Sequence, residues 1–478
     1  MERKSGVLMH ISSLWGDYSC GSFGVGAREF VDFLKSAGFS YWQVLPFGLV
    51  DECNSPYKSY STFGGNPYFI DLKKLFNDGL ITENELNEAR QNTPYSCEFD
   101  RLSKDRVNLL ITASGRVRES LKLKINEFIE NEPYLKDFCS FMALKDANNN
   151  REWTEWTEID FSPEVEFGWR FIQYEFFAQW AQIKEYANNN GVKIIGDIPI
   201  YVSFDSSDVY YNKNLFMMDD NNKLTDVAGV PPDYFAEDGQ LWGNPLYKWD
   251  EMEKDGFKWW QDRMSFALNL FDGVRIDHFR AFESFWAVKG GAKTAKEGRW
   301  IKGPGMKLIN ALKAVSGDKL IIAEDLGDIT KEGIELVEES GFPGMRVFQF
   351  GFLGGETPHK PHNYINNSIA YSGTHDNNTL LGYLWETPTD IKRDVMKYCV
   401  CDPDSWNEKG CDAIIRTIMA SNAGLTIFPI QDLLGYGNDT RLNIPGRAEG
   451  NWLFRITKAQ VDGINTSKYR ELNRLYGR

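Results

Sequence analysis

The chain of 478 residues carries 53 Lys and Arg against 68 Asp and Glu, a formal charge of −15. A negative field of that size repels phosphate backbones, and no Lys/Arg-rich stripe offsets it, so the sequence offers nucleic acid no partner surface. Hydrophobic residues at 42% and charged residues at 25% describe a globular chain that can bury a large core without disulfide or metal staples.

In chain order, the first expected element is a strand over Gly6–Ile11, followed by a helix over Glu29–Ser36 whose apolar residues recur at three-to-four spacing. A second strand, Tyr41–Pro46, opens a connection over residues 48–191 that is far too long for a βα loop. Helical patterns at Thr82–Arg90, Ser114–Asn131 and Glu164–Asn190 predict a mostly helical subdomain inserted there. A third strand, Lys193–Ile198, precedes another long stretch, 201–272, rich in Tyr, Trp, Gly, Pro and Asp and expected to form a cleft wall or lid. Gly273–Asp277, Leu320–Glu324, Met345–Phe350, Ile369–Thr374 and Leu425–Pro429 complete the strands, with helices at Gly305–Val315 and Asp328–Glu339.

Most of these strands are nearly continuous apolar runs without alternation, as parallel strands buried on both faces require. Strand–helix alternation with eight strands predicts an α/β fold, a single catalytic (β/α)8 TIM barrel spanning 1–478. A doubly wound open sheet is the competing architecture.

The aromatic share of 14% suits either stacking surfaces for sugars and bases or an aromatic-rich core. Seven Cys are scattered, and Cys399 and Cys401 lie too close for a zinc half-site, so reduced thiols in a cytoplasmic protein are expected. The opening MERKSGVLMHISSLWG lacks a signal-peptide pattern, and no stretch nears the roughly 20 apolar residues of a membrane helix. Asp219–Asn222 loosely resembles a calcium loop without the required spacing, and neither metal nor cofactor is expected.

A barrel's chemistry lies at the C-terminal ends of its strands, and four of those ends carry an acid: Asp197, Asp277, Glu324 and Asp376. Arg275 lies two residues before Asp277, so the strand period puts both on one face. Each acid alone could simply cap the following helix. Four converging carboxylates repel one another and lose hydration, which a purely structural barrel has no use for. An oxocarbenium-like transition state does need them, one carboxylate to attack the anomeric carbon and one protonated carboxyl to donate to the leaving oxygen. Proximity also spreads their pKa values, which keeps one acid protonated near neutral pH. His278 and His375 flank two of the acids, His10 is expected to be structural, and His359 and His362 superficial. None adjoins a nucleophilic Ser or Cys elbow.

At these residues the chain closely resembles the 4-α-glucanotransferases called amylomaltase or disproportionating enzyme, glycoside hydrolase family 77. The landmarks run from Ser5-Gly-Val-Leu through Ser55-Pro-Tyr57, Gly65-Asn-Pro-Tyr68, Gly196-Asp-Ile-Pro-Ile-Tyr201, Val230-Pro-Pro-Asp-Tyr234 and Trp242-Gly-Asn-Pro-Leu-Tyr247. They continue with Arg275-Ile-Asp-His-Phe279, Ala323-Glu-Asp-Leu-Gly327, Thr374-His-Asp-Asn377, Asn443-Ile-Pro-Gly446 and Gly450-Asn-Trp452, with Phe454 where the family usually has a second Trp.

The resemblance implies Asp277 as nucleophile, Glu324 as general acid/base and Asp376 as the third acid gripping the distorted sugar. Tyr57, Asp197, Arg275 and His375 would be further sugar contacts, Trp242 would close over the acceptor side, and Asn443 belongs to a motif expected to bind substrate. Implied partners are α-1,4-glucan donors and acceptors, maltooligosaccharides and glucose. The rival readings are an amylase-type α-glucan hydrolase using the same acids and a non-catalytic carbohydrate-binding protein. Asn377-Asn-Thr379 forms a glycosylation sequon beside Asp376, where a glycan would block the cleft, which again points to the cytoplasm.

Overall fold

Eight parallel strands close into a barrel in the order β1-β8-β7-β6-β5-β4-β3-β2. They are β1 (Lys4–Leu8), β2 (Tyr41–Gln43), β3 (Lys193–Ile198), β4 (Gly273–Ile276), β5 (Leu320–Ala323), β6 (Gly344–Val347), β7 (Ser368–Tyr371) and β8 (Leu425–Pro429). The computed structural model describes residues 1–232, 237–327, 329–447 and 449–478. Asp233 and Tyr234 of the Val230–Tyr234 landmark lie outside the described residues, as does Asp328 at the start of an expected helix. Each sequence-expected strand is present, but β1, β2, β6 and β7 end three residues before their expected ends, which leaves Asp376 in the loop after β7 rather than at a strand end. The open sheet is ruled out by the β1–β8 pairing that closes the ring, Lys4 against Leu425 through Leu8 against Pro429.

The inner face of the barrel follows the strand period of two. Leu8, Ile195, Ile322, Met345, Val347, Ile369, Tyr371, Leu425 and Ile427 form one buried cluster, distinct from the larger core between strands and helices. One step of two beyond Ile195 lies Asp197, and one beyond Ile322 lies Glu324. On β4 the same face runs Gly273, Arg275, Asp277, with Arg275 registered opposite Asp197. The packed interior therefore ends in acids. Gly196 turns outward, and a Cβ there would come within 2.1 Å of the Phe271 ring, so only glycine lets that ring cover the strand.

Between β2 and β3 stand four longer helices, Phe99–Ser114, Glu119–Glu130, Pro133–Ala147 and the 27-residue Pro163–Asn189. The single helical pattern read at Ser114–Asn131 is a helix end, a break at Gly115 to Arg118, and a new helix from Glu119. Pro163–Asn189 is capped by Ser162, whose side chain accepts from the Glu164 and Val165 amides. Trp180 on this helix meets Phe47 edge-on at 4.8 Å, and Phe23 and Phe271 complete the contact with the barrel. Trp42, Trp180 and Trp260 are fully buried, so much of the aromatic excess is core.

The stretch after β3 contains structure that periodicity did not reveal. Asp226–Val230 and Gln240–Pro245 pair antiparallel with each other, and Ser284–Lys289 and Gly298–Lys302 extend them into a four-stranded sheet. Two of its strands come from beyond β4, in a segment where the sequence suggested none. The Asp219 region is an Asx turn, its Oδ1 accepting the Asn221 and Lys223 amides. All seven Cys are free thiols. Among the described residues no helix is long and apolar enough to cross a membrane.

Candidate active site

Arg275 organises the first half of the site. Its Nη1 lies 2.7 Å from Asp197 Oδ2 and its Nη2 2.6 Å from Asp277 Oδ1, so one guanidinium holds two carboxylates apart and in place. The Tyr57 hydroxyl donates to the same Asp197 oxygen at 2.7 Å. Burial raises the Asp197 pKa and Arg275 opposes the rise; the Asp197 side chain is wholly enclosed. Asp197 Oδ1 is buried without a hydrogen-bond partner.

Directly after Asp277 the chain turns sharply. His278 has φ 51°, a left-handed conformation that few non-glycine residues adopt. The turn presents the His278 amide to Glu324 Oε2 at 2.7 Å, while the Leu326 amide donates to Oε1 at 2.9 Å. Two backbone donors thus fix the Glu324 carboxyl beside the residue that follows Asp277. Burial pushes Glu324 up to about 7; the Arg275 guanidinium opposes that rise and the Asp277 carboxylate adds to it. The His278 ring is pushed down to about 4 by burial, so it is neutral, and it is its backbone that orients the acid.

The third acid is held differently. Asn443 Nδ2 donates to Asp376 Oδ1 at 2.6 Å, and His375 Nε2 lies 3.3 Å from Oδ2. Burial works against the Asp376 charge, yet His375 and Asn443 hold the carboxyl well below the usual range. Tyr57 stacks on His375 with centroids 5.1 Å apart, so the residue bonded to Asp197 also supports the imidazole beside Asp376. Trp242, on the edge strand of the four-stranded sheet, meets His278 edge-on at 4.9 Å.

All nine residues singled out from sequence fall in one connected set: Tyr57, Asp197, Trp242, Arg275, Asp277, Glu324, His375, Asp376 and Asn443. Three participants were missed. Trp452 closes on His375 at 5.9 Å, and Arg441 Nη2 donates to the Asp376 carbonyl at 2.9 Å. The Leu326 amide was the third, and a backbone donor leaves no mark in residue type. Trp452 did carry a signal, since it sits in a motif that supplied the resemblance. His359 departs from the expected surface position: its Nδ1 accepts the Val347 amide at 3.1 Å and burial lowers its pKa to about 4. His10 is buried, as expected of a structural residue, and its Nδ1 accepts the Leu45 amide at 3.3 Å.

A closed parallel barrel with acids gathered at its C-terminal mouth is the architecture of a TIM-barrel enzyme. A family model described as 4-alpha-glucanotransferase matches residues 9–460. The 4-alpha-glucanotransferase of Clostridium butyricum is 42% identical, the alignment covering 98% of this chain and 100% of that protein. That of Streptococcus pneumoniae serotype 4 is also 42% identical, over 100% and 98% of the two chains. Among solved structures, the amylomaltase from Streptococcus agalactiae in complex with acarbose matches with a TM-score of 0.95 and 36% identity, over 100% of each chain. The chain belongs to the 4-alpha-glucanotransferase family.

Proposed function

We propose that this enzyme transfers α-1,4-glucan segments between maltooligosaccharides by a retaining double displacement at Asp277, Glu324 and Asp376. The observation that carries the reading is the pairing at the barrel mouth. Asp277 is salt-bridged to Arg275, while Glu324, pushed up to about 7, is bonded to the amide of the very next residue. One acid is paired with a guanidinium and the other retains its proton up to near-neutral pH, which is the division of labour that glycosidic cleavage demands.

In the first step Asp277 forms a bond to the anomeric carbon as the glycosidic C–O bond breaks, and Glu324 gives its proton to the departing oxygen. In the second step Glu324 takes the proton from the 4-hydroxyl of an incoming glucan. The new C–O bond then forms as the glycosyl–Asp277 ester breaks, and configuration is retained overall. Asp376, kept anionic by His375 and Asn443, would stabilise the positive charge developing on the ring. Tyr57, Asp197 and Arg275 would contact the same sugar, and Trp242 would bound the acceptor side. Retention requires an Asp277–Glu324 carboxyl separation of about 5–5.5 Å, against roughly 6.5–9.5 Å for inversion.

Incubation with maltotriose tests the activity. Transfer yields a ladder of longer glucans together with glucose, whereas a hydrolase yields only shorter sugars. A product mixture with nothing longer than maltotriose would refute the proposal. The sequon at Asn377, beside Asp376, supports action in the cytoplasm, away from glycosylating pathways.

A further inference from the structure

The loop that carries His375 and Asp376 spans residues 373–379, between β7 and the helix Leu380–Glu386. Its two ends converge on one side chain from a neighbouring element. Ser372 Oγ, immediately after β7, donates to Asp432 Oδ2 at 2.5 Å, and the Leu380 amide, at the first position of the helix, donates to Asp432 Oδ1 at 2.7 Å. Asp432 sits on the short helix Ile430–Leu434 that follows β8. We propose that Asp432 is a positioning residue for the reaction, a clamp that joins both ends of the loop and so sets where the Asp376 carboxylate stands.

Several observations converge on this. Asp432 is only 3% exposed and Ser372 is fully buried, so the clamp lies in the core beneath the loop and touches no substrate. The Leu380 amide is one of the helix-start donors that lack an intrahelical acceptor; Thr379 Oγ1 serves the Gly382 amide, and Leu380 relies on Asp432. Burial pushes the Asp432 carboxyl up to about 6, and its neighbours Cys411 and Tyr469 bring no positive charge to offset that. The carboxylate is thus held by its two donors, each of which fixes one end of the loop.

Within the loop, Asn377 Oδ1 accepts from the Thr374 amide and hydroxyl, and Thr374 Oγ1 accepts from the Asp376 amide. The loop is thus braced from within. Arg441, Asn443 and Gln349 Nε2 tether its middle, and Asp432 supplies the tie at both ends. A misplacement of about 1 Å at a reacting group can cost on the order of a hundredfold in rate.

The inference rests on the assignment of Asp376 to the reaction, and the test separates the two. Asp376→Asn, Asp432→Ala, Ser372→Ala and Asp432→Asn are compared by maltotriose disproportionation and by thermal melting. Asp432→Ala is expected to lower kcat roughly ten- to hundredfold, with KM changed less than about threefold and a cooperative melt preserved. Ser372→Ala, which removes one anchor and opens a smaller gap, is expected to show a weaker loss of the same kind. Asp432→Asn is expected to restore most of kcat, because its amide can accept from Leu380 while donating to the Ser372 oxygen. Wild-type kcat in both Asp432→Ala and Ser372→Ala overturns the proposal. So does a loss that matches only the fraction of unfolded protein, or one that Asp432→Asn fails to recover. Were Asp376→Asn fully active, the assignment of Asp376 itself would fall.

Discussion

At the scale of single residues, Glu324, the proposed proton donor, has its carboxyl buried beside Asp277. The proposed role requires it to be neutral in the first step, so kcat/KM for maltotriose is expected to fall as pH rises through about 7, following one ionisation. Glu324→Gln is expected to reduce transfer by at least about a thousandfold, the loss being read from glucose release.

The same residue makes a statement about stability. The folded chain keeps this proton up to about pH 7, whereas an ordinary glutamate releases it near 4.5, so stability declines between those values and is level above them. Glu324→Gln removes that slope. The melting temperature of the variant relative to the parent should therefore climb between about pH 5 and 7 and then stay constant; a flat difference across that range would contradict the burial of the charge.

At the scale of elements, the four-stranded sheet is the feature that periodicity did not disclose. Its strands Asp226–Val230 and Ser284–Lys289 are separated in sequence by β4 and pair only in three dimensions. The edge strand Gln240–Pro245 carries Trp242 to the turn after Asp277, where its ring lies against His278. An aromatic wall there would favour a sugar acceptor over water for resolving the glycosyl intermediate. Trp242→Ala is thus expected to lower the ratio of transfer to hydrolysis several-fold while leaving cleavage of the donor in place. Separate measurement of total bond cleavage and of longer products gives that ratio. An unchanged value would remove Trp242 from acceptor selection.

At the scale of the whole molecule, the inserted helices are tied to the barrel through aromatic packing. Phe23, Phe47, Phe176, Trp180 and Phe271 form a contiguous aromatic cluster joining the helix Pro163–Asn189 to the segment before the helix Val25–Ala37, β2's outgoing loop and the approach to β4. Trp180 is 1% exposed, so Trp180→Ala leaves a cavity and is expected to cost roughly 3–5 kcal/mol, read by denaturant unfolding. Because this packing meets β3 on its outward side, with Phe271 against Gly196, catalytic constants of the folded variant should change less than its stability.

The eight strands and the acids at their ends were readable from residues alone, because a strand buried on both faces must be apolar along its length and a charge at its end stands out against it. Gly196-Asp197, Arg275-Ile-Asp277 and Ala323-Glu324 each show that abrupt change. Periodicity likewise announced the long helix Pro163–Asn189, since a helix is stabilised by neighbours three and four residues away. What chain order could not announce were contacts between distant segments. Asp226–Val230 finds its partner beyond β4, the Leu326 and His278 amides turn toward Glu324, and Asp432 clasps Ser372 and Leu380 from another strand's end. Local sequence pattern encodes which residues must be buried and which must stay charged; the donors that set each acid's pKa and direction come from wherever the closed barrel brings its loops together, and that is decided only when the ring is complete.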